Sequence, residues 1–549
     1  MRVDQTSDQW WKSAVIYCLD VETYMDSDGD GIGDMAGLIS RLDHLAGLGV
    51  TCLWLMPFQP TPNRDDGYDI ADYYAVDPRL GTLGDFVELI RTAGDRGLRV
   101  IVDLVVNHTS DEHPWFTESR SSRDSPRRDW YVWRDEPSDE PKGLAFPGTE
   151  TSNWCHDEVS GQYYLHRFYH FQPDLDTANP AVRDEIARIV GFWLTLGVSG
   201  FRMDAVPAML ETAGMPEHVD GDDPQQWLRS LRAFASRRRG DALLLGEVNL
   251  GLNELARYFG EHGNELHMQF SFLINQHLWL ALARERAEPL ETVIRELPQV
   301  PPDSAWAIFL RNHDELTLDK LTEPQRNEVF AAFGPDKDMQ LYGHGLRRRA
   351  APMLGGDPDR LRLAWSLVFT LPGSPVIVYG DEIGMGEQLE LSDRMAVRVP
   401  MQWSPEPSAG FSTAAPEDLV RQLAAAPFGP DRVNVADQRR DPDSLLNWME
   451  HAIRRRKESA ELGWGSVTLL ETPNPSILAH RCDWEDGTVL AVHNLAEEPA
   501  AASLELGDDV TGAEDVLALT DHPVGPGGRI DVELGRYGLR WLRLRRDAG

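Results

Sequence analysis

Short apolar runs alternate with longer amphipathic segments between residues 14 and 382, and this alternation constrains the fold more than any other feature of the chain. Segments such as 34–48 and 82–96 have a helical pattern and separate the runs. Eight runs are predicted to be buried strands: AVIYCLDV, TCLWLMP, RVIVDLVVNH, GFRMDAV, LLLGEVN, HMQFSF, WAIFLRNHDE and SPVIVYGDE. Strands that alternate with helices form parallel sheets, and eight such units predict a (β/α)8 TIM barrel of the α/β class.

Two connections are too long for ordinary barrel loops. Residues 109–177 follow the third strand without a clear barrel element, which predicts an inserted domain. Residues 315–364 form a second insertion, which we expect to be helical. The barrel itself comprises residues 1–108 and 178–460, and the second insertion lies within the latter range. From residue 461 to 549 the pattern changes to short alternating runs such as SVTLLE, TVLAVHNLA and DVLALT, which predict a C-terminal antiparallel β-sandwich domain.

The charge balance excludes several classes of partner. The chain has 53 Lys and Arg against 89 Asp and Glu, a net charge of −36, which would repel nucleic acid and anionic membranes. A small neutral substrate fits this balance. No apolar run approaches the roughly 20 residues of a membrane span. The four cysteines show no metal-binding spacing, and Cys18 and Cys52 lie in apolar runs, as expected for reduced thiols of a cytoplasmic protein.

Carboxylates follow the apolar part of several predicted strands. In GFRMDAV, Arg202 and Asp204 are two residues apart and therefore point the same way. The next strand ends at Glu247, and a later one ends at His313 and Asp314. Any one of these residues would be unremarkable as a buried structural ion. Together, at the catalytic end of a barrel, they predict a site that cleaves glycosidic bonds, which needs one carboxylate to attack and one carboxylic acid to protonate.

The strand motifs also resemble a known family. DLVVNH, GFRMDAV, LLLGEVN, FLRNHD and QPDL are similar to the characteristic regions of the α-amylase family of glycoside hydrolases and transglycosidases. The resemblance implies that Asp204 is the nucleophile, Glu247 the general acid/base and Asp314 the carboxylate that holds the sugar ring. It also implies a covalent intermediate, a low pKa for Asp204 and retained anomeric configuration. The implied substrate-binding residues are Tyr68, Asp69, His108, Arg202, His313 and Arg394.

A run of acidic residues near the N-terminus predicts a metal site. DSDGDGIGD places Asp26, Asp28, Asp30 and Asp34 on one short loop, where their charges repel unless a cation binds. We expect a structural Ca²⁺ with the carbonyl of Ile32 as a further ligand; the alternative is an Asx-turn cluster without metal. By resemblance to the family, Asn107 and Asp174 are implied as a second structural Ca²⁺ site. No organic cofactor is expected.

Within the family, RDDGYDIADY, HRFYHFQPDLD and GLRRRAAPML resemble the trehalose synthases. That resemblance implies interconversion of maltose and trehalose, with glucose kept in a closed pocket between the two steps. The chain departs from that group in NLGLNEL, which lacks a tryptophan, and in SDRMAVRVPMQW, where Arg394 is kept. An α-glucosidase or transglucosidase acting on other α-glucosides is therefore an alternative, and a non-catalytic carbohydrate-binding protein is a weaker one. A homo-oligomer is left open.

Overall fold

A closed barrel of eight parallel strands forms the centre of the protein, as the sequence predicts. The computed structural model describes residues 9–138, 143–213 and 223–546. Each strand pairs with its neighbours in the chain, and the last pairs with the first. The strands are β1 (Ile16–Leu19), β2 (Cys52–Leu55), β3 (Arg99–Leu104), β4 (Gly200–Met203), β5 (Leu243–Gly246), β6 (Met268–Phe270), β7 (Ala305–Phe309) and β8 (Ser374–Val378).

Helices surround the barrel, and local capping explains where several of them begin. The Thr82 hydroxyl accepts from the Asp85 amide while the Asp85 carboxylate accepts from the Thr82 amide, so both groups at this helix start are satisfied. Asn179 and Asp357 cap helices that begin with proline. The principal helices around the barrel are Met35–Ser40, Leu42–Leu48, Leu83–Asp95, Pro180–Thr195, Val206–Ala213, Pro224–Arg238, Leu252–Leu255, Phe272–Arg284, Glu288–Glu296, Pro358–Thr370 and Leu445–Lys457.

The first insertion forms a small domain above the barrel. It contains the helix Pro114–Ser121 and an antiparallel sheet of Trp133–Arg134, Gln162–Leu165 and Trp154–Asp157, in that order. Its base is tied to the end of β3, because the Leu175 amide donates to the Asn107 carbonyl over 2.8 Å. This attachment brings the inserted domain over the mouth of the barrel.

The second insertion is only partly helical. The helix Glu323–Phe333 agrees with the prediction, but a three-stranded antiparallel sheet accompanies it, formed by Leu316–Thr317, Gly345–Leu346 and Gln340–Leu341. These strands are two residues long, too short to show a pattern in sequence. The sheet lies immediately after Asp314 and so borders the predicted site.

The C-terminal domain is a sandwich of two antiparallel sheets that share one apolar core. Six strands form the larger sheet and two the smaller. The predicted strand DVLALT is displaced: the strand is Val510–Asp515, and residues 516–519 form a turn. The strands are Ser466–Leu470, Ile477–Trp484, Gly487–Asn494, Leu539–Arg546, Val510–Asp515 and Thr520–His522 in one sheet, and Ala500–Glu505 and Arg529–Leu534 in the other.

The four cysteines all lie in the described part of the chain and are free thiols; Cys18, Cys52 and Cys482 are buried. Among the described residues, no helix has both the length and the apolar character that crossing a bilayer requires.

Candidate active site

One buried guanidinium organises the barrel end of the site. The Nη1 of Arg202 donates to Asp103 Oδ1 and to Asp204 Oδ1, each over 2.6 Å, and its Nη2 donates to Glu247 Oε2 over 2.6 Å. These carboxylates come from β3 and from the ends of β4 and β5, so Arg202 ties three neighbouring strands together. Three acidic side chains are thereby held at fixed distances from one common cation.

The turn after β4 brings the predicted nucleophile and acid together. Ala205 has a φ of 43°, in the left-handed region that residues with a Cβ rarely adopt. Its amide donates to Glu247 Oε2 over 3.2 Å. Backbone strain of this kind persists where surrounding contacts enforce it. Here it turns the backbone out of the direction of β4 just after Asp204.

Asp314 lies opposite this pair and is surrounded by positive charge. Arg398 Nη2 donates to Asp314 Oδ1 over 2.7 Å, and Arg394 Nη1 lies 3.1 Å from the same oxygen. His313 Nε2 is 3.3 Å from Asp314 Oδ2 and 2.7 Å from the Tyr68 hydroxyl. The Tyr68 hydroxyl also donates to Asp103 Oδ2 over 3.3 Å, which links the two sides of the site.

The surroundings push the pKa values of these groups apart. Burial, together with the nearby Asp204 and Asp314, raises the pKa of Glu247 to about 7 although Arg202 opposes the shift. Burial raises the pKa of Asp204 as well, so the low value expected for the nucleophile is not found; Arg202 is the main opposing charge. Burial also raises the pKa of Asp314, but Arg394, His313 and Arg398 outweigh it and hold that pKa well below its usual range. Separated acid and base groups of this kind are typical of general acid/base catalysis.

These residues enclose a cavity of about 120 Å³. Pockets for drug-sized ligands have volumes of about 300 to 1,000 Å³. The smaller cavity in this protein is therefore suited to a ligand of about one sugar ring. The cavity is lined by Asp65, Tyr68, His108, Phe146, Phe168, Asp204, Ala205, Glu247, Asp314 and Arg394.

The structure brings most of the predicted site residues to this cavity and leaves one apart. Arg202 and His313 lie directly behind its wall, bonded to residues that line it. Asp69 is fully buried away from it, where its carboxylate accepts from the Thr61 hydroxyl over 2.8 Å. Asp65, from the same RDDGYD motif, reaches the cavity instead.

An aromatic bridge beside the cavity joins the two insertions; we define it as Phe146, which lines the cavity, with Tyr169 and Tyr342. The ring centroid of Phe146 lies 4.5 Å from that of Tyr169 and 5.0 Å from that of Tyr342. The two tyrosine hydroxyls are 3.3 Å apart. The Arg394 guanidinium lies 4.8 Å from the Phe146 ring centroid, so the bridge rests on a residue that also contacts Asp314. Sequence alone gave no signal for this bridge, because its members come from separate loops.

The acidic loop near the N-terminus fits a calcium ion. Carboxylate oxygens of Asp26, Asp28 and Asp34 all lie within 4.8 Å of one another, an all-oxygen donor set of the kind that Ca²⁺ prefers. Asp30 lies in the same loop, where its carboxylate accepts from the Ile32 amide over 2.8 Å.

Asn107 and Asp174 also meet: Asn107 Nδ2 donates to Asp174 Oδ1 over 3.1 Å. The remaining side-chain oxygens, Asn107 Oδ1 and Asp174 Oδ2, are buried without a hydrogen-bond partner. The Nε of Arg167 lies 3.7 Å from Asp174 Oδ2, so positive charge already stands beside this pair. The donor set therefore fits a cation less well than the acidic loop does.

Comparison with known proteins agrees with this geometry. The family model described as Alpha amylase, catalytic domain, matches residues 19–331 and 337–465. The chain belongs to the α-amylase family. A second model, described as Sucrose hydrolase-like, C-terminal domain, matches residues 487–543 within the sandwich. The family resemblance of the strand motifs is thus confirmed.

Three relatives of this chain align with it over nearly its whole length. Trehalose synthase of Thermus thermophilus is 42% identical over 98% of the chain, which spans 56% of that protein's own length. Trehalose synthase/amylase of Mycobacterium tuberculosis (strain ATCC 25618 / H37Rv) is 42% identical over 97% of this chain and 90% of its own. Among solved structures, trehalulose synthase from Pseudomonas mesoacidophila MX-45 superposes with a TM-score of 0.76 at 28% identity, covering 98% of this chain and 99% of that one.

Proposed function

We propose that the protein is a retaining α-glucosyl-transferring enzyme that interconverts maltose and trehalose. The observation that carries this proposal is the one-ring cavity in which Asp204, Glu247 and Asp314 meet beside the aromatic bridge. A site of this size holds a single glucosyl unit, and the aromatic bridge beside it would help to keep the second glucose near the reaction centre. The 42% identity to two trehalose synthases over nearly the whole chain supports the same activity.

The positions of the three carboxylates support the following reaction. Asp204 attacks the anomeric carbon, the glycosidic C–O bond breaks, and the proton of Glu247 passes to the leaving oxygen. Asp314 holds hydroxyl groups of the ring. The ionised Glu247 then takes a proton from the anomeric hydroxyl of the released glucose, whose oxygen attacks the same carbon and displaces Asp204. Two displacements on one carbon retain its configuration.

The test is incubation of the pure protein with maltose, followed by measurement of trehalose and free glucose. Trehalose as the main product supports the proposal. Glucose alone favours the α-glucosidase alternative, which agrees with the name of the Mycobacterium relative, trehalose synthase/amylase. Turnover of no α-glucoside at all would contradict both and favour a non-catalytic carbohydrate-binding protein.

Opening the aromatic bridge is expected to convert transfer into hydrolysis. Replacing Tyr342 by alanine removes both its tilted ring contact with Phe146 and its hydroxyl contact with Tyr169, so water reaches the glucosyl intermediate and glucose escapes. We expect the ratio of glucose to trehalose formed from maltose to rise about tenfold, a change of about 1.4 kcal/mol in the competition between the two acceptors. Tyr163→Ala, which alters a tyrosine of the inserted domain outside the cavity lining, is the matched control. An unchanged product ratio in Tyr342→Ala would show that the bridge does not retain glucose.

We also propose that the acidic loop binds a structural Ca²⁺ through Asp26, Asp28, Asp30, Ile32 and Asp34. Because the ion would bind only the folded chain, Ca²⁺ at about 100 times its Kd is expected to raise the free energy of unfolding by about 2.7 kcal/mol. The measurement is the Tm after chelation and after return of Ca²⁺, with Asp28→Asn expected to abolish the difference. A Tm that does not respond to Ca²⁺ in the wild type would leave the Asx-turn cluster as the explanation. The pair Asn107 and Asp174 stays the second, weaker proposal.

We also propose a cytoplasmic setting and a small-sugar substrate. A small neutral α-glucoside as substrate agrees with the net charge of −36, which disfavours nucleic acid and anionic membranes as partners. Buried free thiols fit a cytoplasmic protein. Light scattering would decide whether the protein is a monomer or a homo-oligomer.

A further inference from the structure

Three buried carboxylates meet outside the cavity lining, in the segments that follow β1 and β2. Asp20, Glu22 and Asp66 are at most 6% exposed, and oxygens from all three lie within 4.8 Å of one another. Carboxylates at this spacing repel strongly unless a positive charge stands among them.

The guanidinium of Arg421 supplies that charge. Its Nη2 donates to Glu22 Oε2 over 2.7 Å and also to Asp66 Oδ1, while its Nη1 lies 3.3 Å from Asp20 Oδ2. Arg421 comes from a loop about 400 residues further along the chain than Asp20. The loop is anchored next to the arginine, because the Val420 amide donates to the Gly31 carbonyl over 2.9 Å.

Asp66 connects this cluster to the active site. Its second oxygen, Oδ2, accepts from Arg398 Nη1 over 2.8 Å. Arg398 in turn donates through Nη2 to Asp314 over 2.7 Å and through Nε to the His313 carbonyl over 2.9 Å. Arg421 also donates to the Arg398 carbonyl over 2.9 Å. Positive and negative side chains therefore alternate in the order Arg421, Asp66, Arg398, Asp314.

The protonation states agree with this arrangement. Although burial raises the pKa of Asp66, Arg421 and Arg398 outweigh it and hold that pKa at about 2. Asp66 is thus ionised and able to fix Arg398. Burial and the neighbouring Asp66 raise the pKa of Asp20 to about 7, against the opposing charge of Arg421, while Arg79 donates to the other oxygen of Glu22.

We propose that Arg421 is a positioning residue that acts on Asp314 through Asp66 and Arg398. Its guanidinium lies among three carboxylates, in a place where a metal ion could otherwise bind. The inference rests on the proposed function, because it takes Asp314 as the group that holds the sugar. Without Arg421, Asp66 is repelled by Asp20 and Glu22 and is free to turn. Arg398 then loses the partner that aims it at Asp314.

The first test replaces Arg421 by methionine, which keeps the length of the side chain and removes its charge. Displacement of a catalytic constellation by about 1 Å costs on the order of 100-fold in rate, so we expect kcat/KM for 4-nitrophenyl α-glucoside to fall by that factor. KM is expected to rise as kcat falls, because Asp314 contacts the sugar before and during the reaction. Arg421→Lys retains the charge without the planar fork and is expected to lose less.

A second test distinguishes positioning from general loss of stability. In Arg421→Ala, guanidinium ion at concentrations too low to unfold the protein is expected to bind among the three carboxylates and restore part of kcat/KM. The matched control is Arg456→Ala: this buried arginine donates only to the carbonyls of Phe369 and Gly373, away from the site. It is expected to lower the Tm while leaving kcat/KM per folded molecule unchanged, with no response to guanidinium.

The outcomes separate this inference from the proposed function. A wild-type protein that turns over no α-glucoside would contradict the proposed function alone. Binding of 1-deoxynojirimycin, a basic glucose analogue, is therefore measured alongside by calorimetry. Equal affinity in wild type and Arg421→Met, or a folded Arg421→Met with unchanged kcat/KM, would overturn the positioning role. Lost activity in Arg421→Ala that guanidinium does not restore would do the same.

Discussion

Replacing Asp204 by asparagine is expected to lower kcat/KM for maltose and for 4-nitrophenyl α-glucoside by at least about 10⁴-fold, because the amide cannot form the covalent glucosyl intermediate. Asparagine keeps the volume and can still accept the hydrogen bond from Arg202, so the site should stay assembled. The measurement is the initial rate with each substrate. Intact mass spectrometry after reaction with a fluorinated glucosyl fluoride should show an added glucosyl unit on the wild type and none on the variant.

Asp77→Asn is the matched control for that experiment. Asp77 is a buried aspartate paired with Arg79 over 2.9 Å, outside the cavity lining, so its loss should affect the Tm rather than turnover. If Asp204→Asn retained more than a small fraction of wild-type activity while folded, Asp204 would not be the nucleophile.

Replacing Glu247 by glutamine is expected to produce the second largest effect, a loss of about 10²- to 10⁴-fold with maltose, because no proton is delivered to the leaving sugar oxygen. The loss should be smaller with 4-nitrophenyl α-glucoside, whose leaving group departs without protonation. The wild type should also show a pH limb that this variant lacks. Since the pKa of Glu247 is raised to about 7, the protonated acid is present below that pH and is lost above it, so activity should fall on the alkaline side.

The pH profile of kcat/KM for maltose measures this limb directly. Burial and the nearby Asp204 and Asp314 are the causes of the raised pKa, and Arg202 opposes them. A control at Arg202 would be unsuitable, because Arg202 also bonds to Asp204. The control is therefore Tyr163→Ala, the same variant as for the aromatic bridge, which should reproduce the wild-type profile. An alkaline limb that persisted unchanged in Glu247→Gln would assign the proton to a different group.

The barrel and its three carboxylates were predictable because local sequence specifies them. A buried strand requires an apolar run, and a polar residue straight after such a run lies at the barrel mouth, which is how Asp204, Glu247 and Asp314 could be identified. That all three line one cavity agrees with strand order, since β4, β5 and β7 lie on the same side of a ring closed in chain order.

Residues on loops could not be placed in this way. Asp65 and Asp69 belong to one motif, but Asp66 has a φ of 52°, and this turn helps send Asp65 to the cavity and Asp69 behind it. Phe146 and Tyr342 are almost 200 residues apart and meet only after both insertions have folded. Arg421 likewise carries no motif, and its role emerges only from the charges that surround it in three dimensions.

Closure of the barrel between β1 and β8 has a consequence for how the protein is made. Ile16 pairs with Val376, so about 360 residues must be synthesised before the first strand meets its last partner. At about 5 to 20 residues per second, a ribosome needs roughly 20 to 70 s for that stretch. In the later part of this interval the nascent chain carries Asp204 and Glu247 but still presents an unpaired strand edge, which can pair with another chain until β8 has been made.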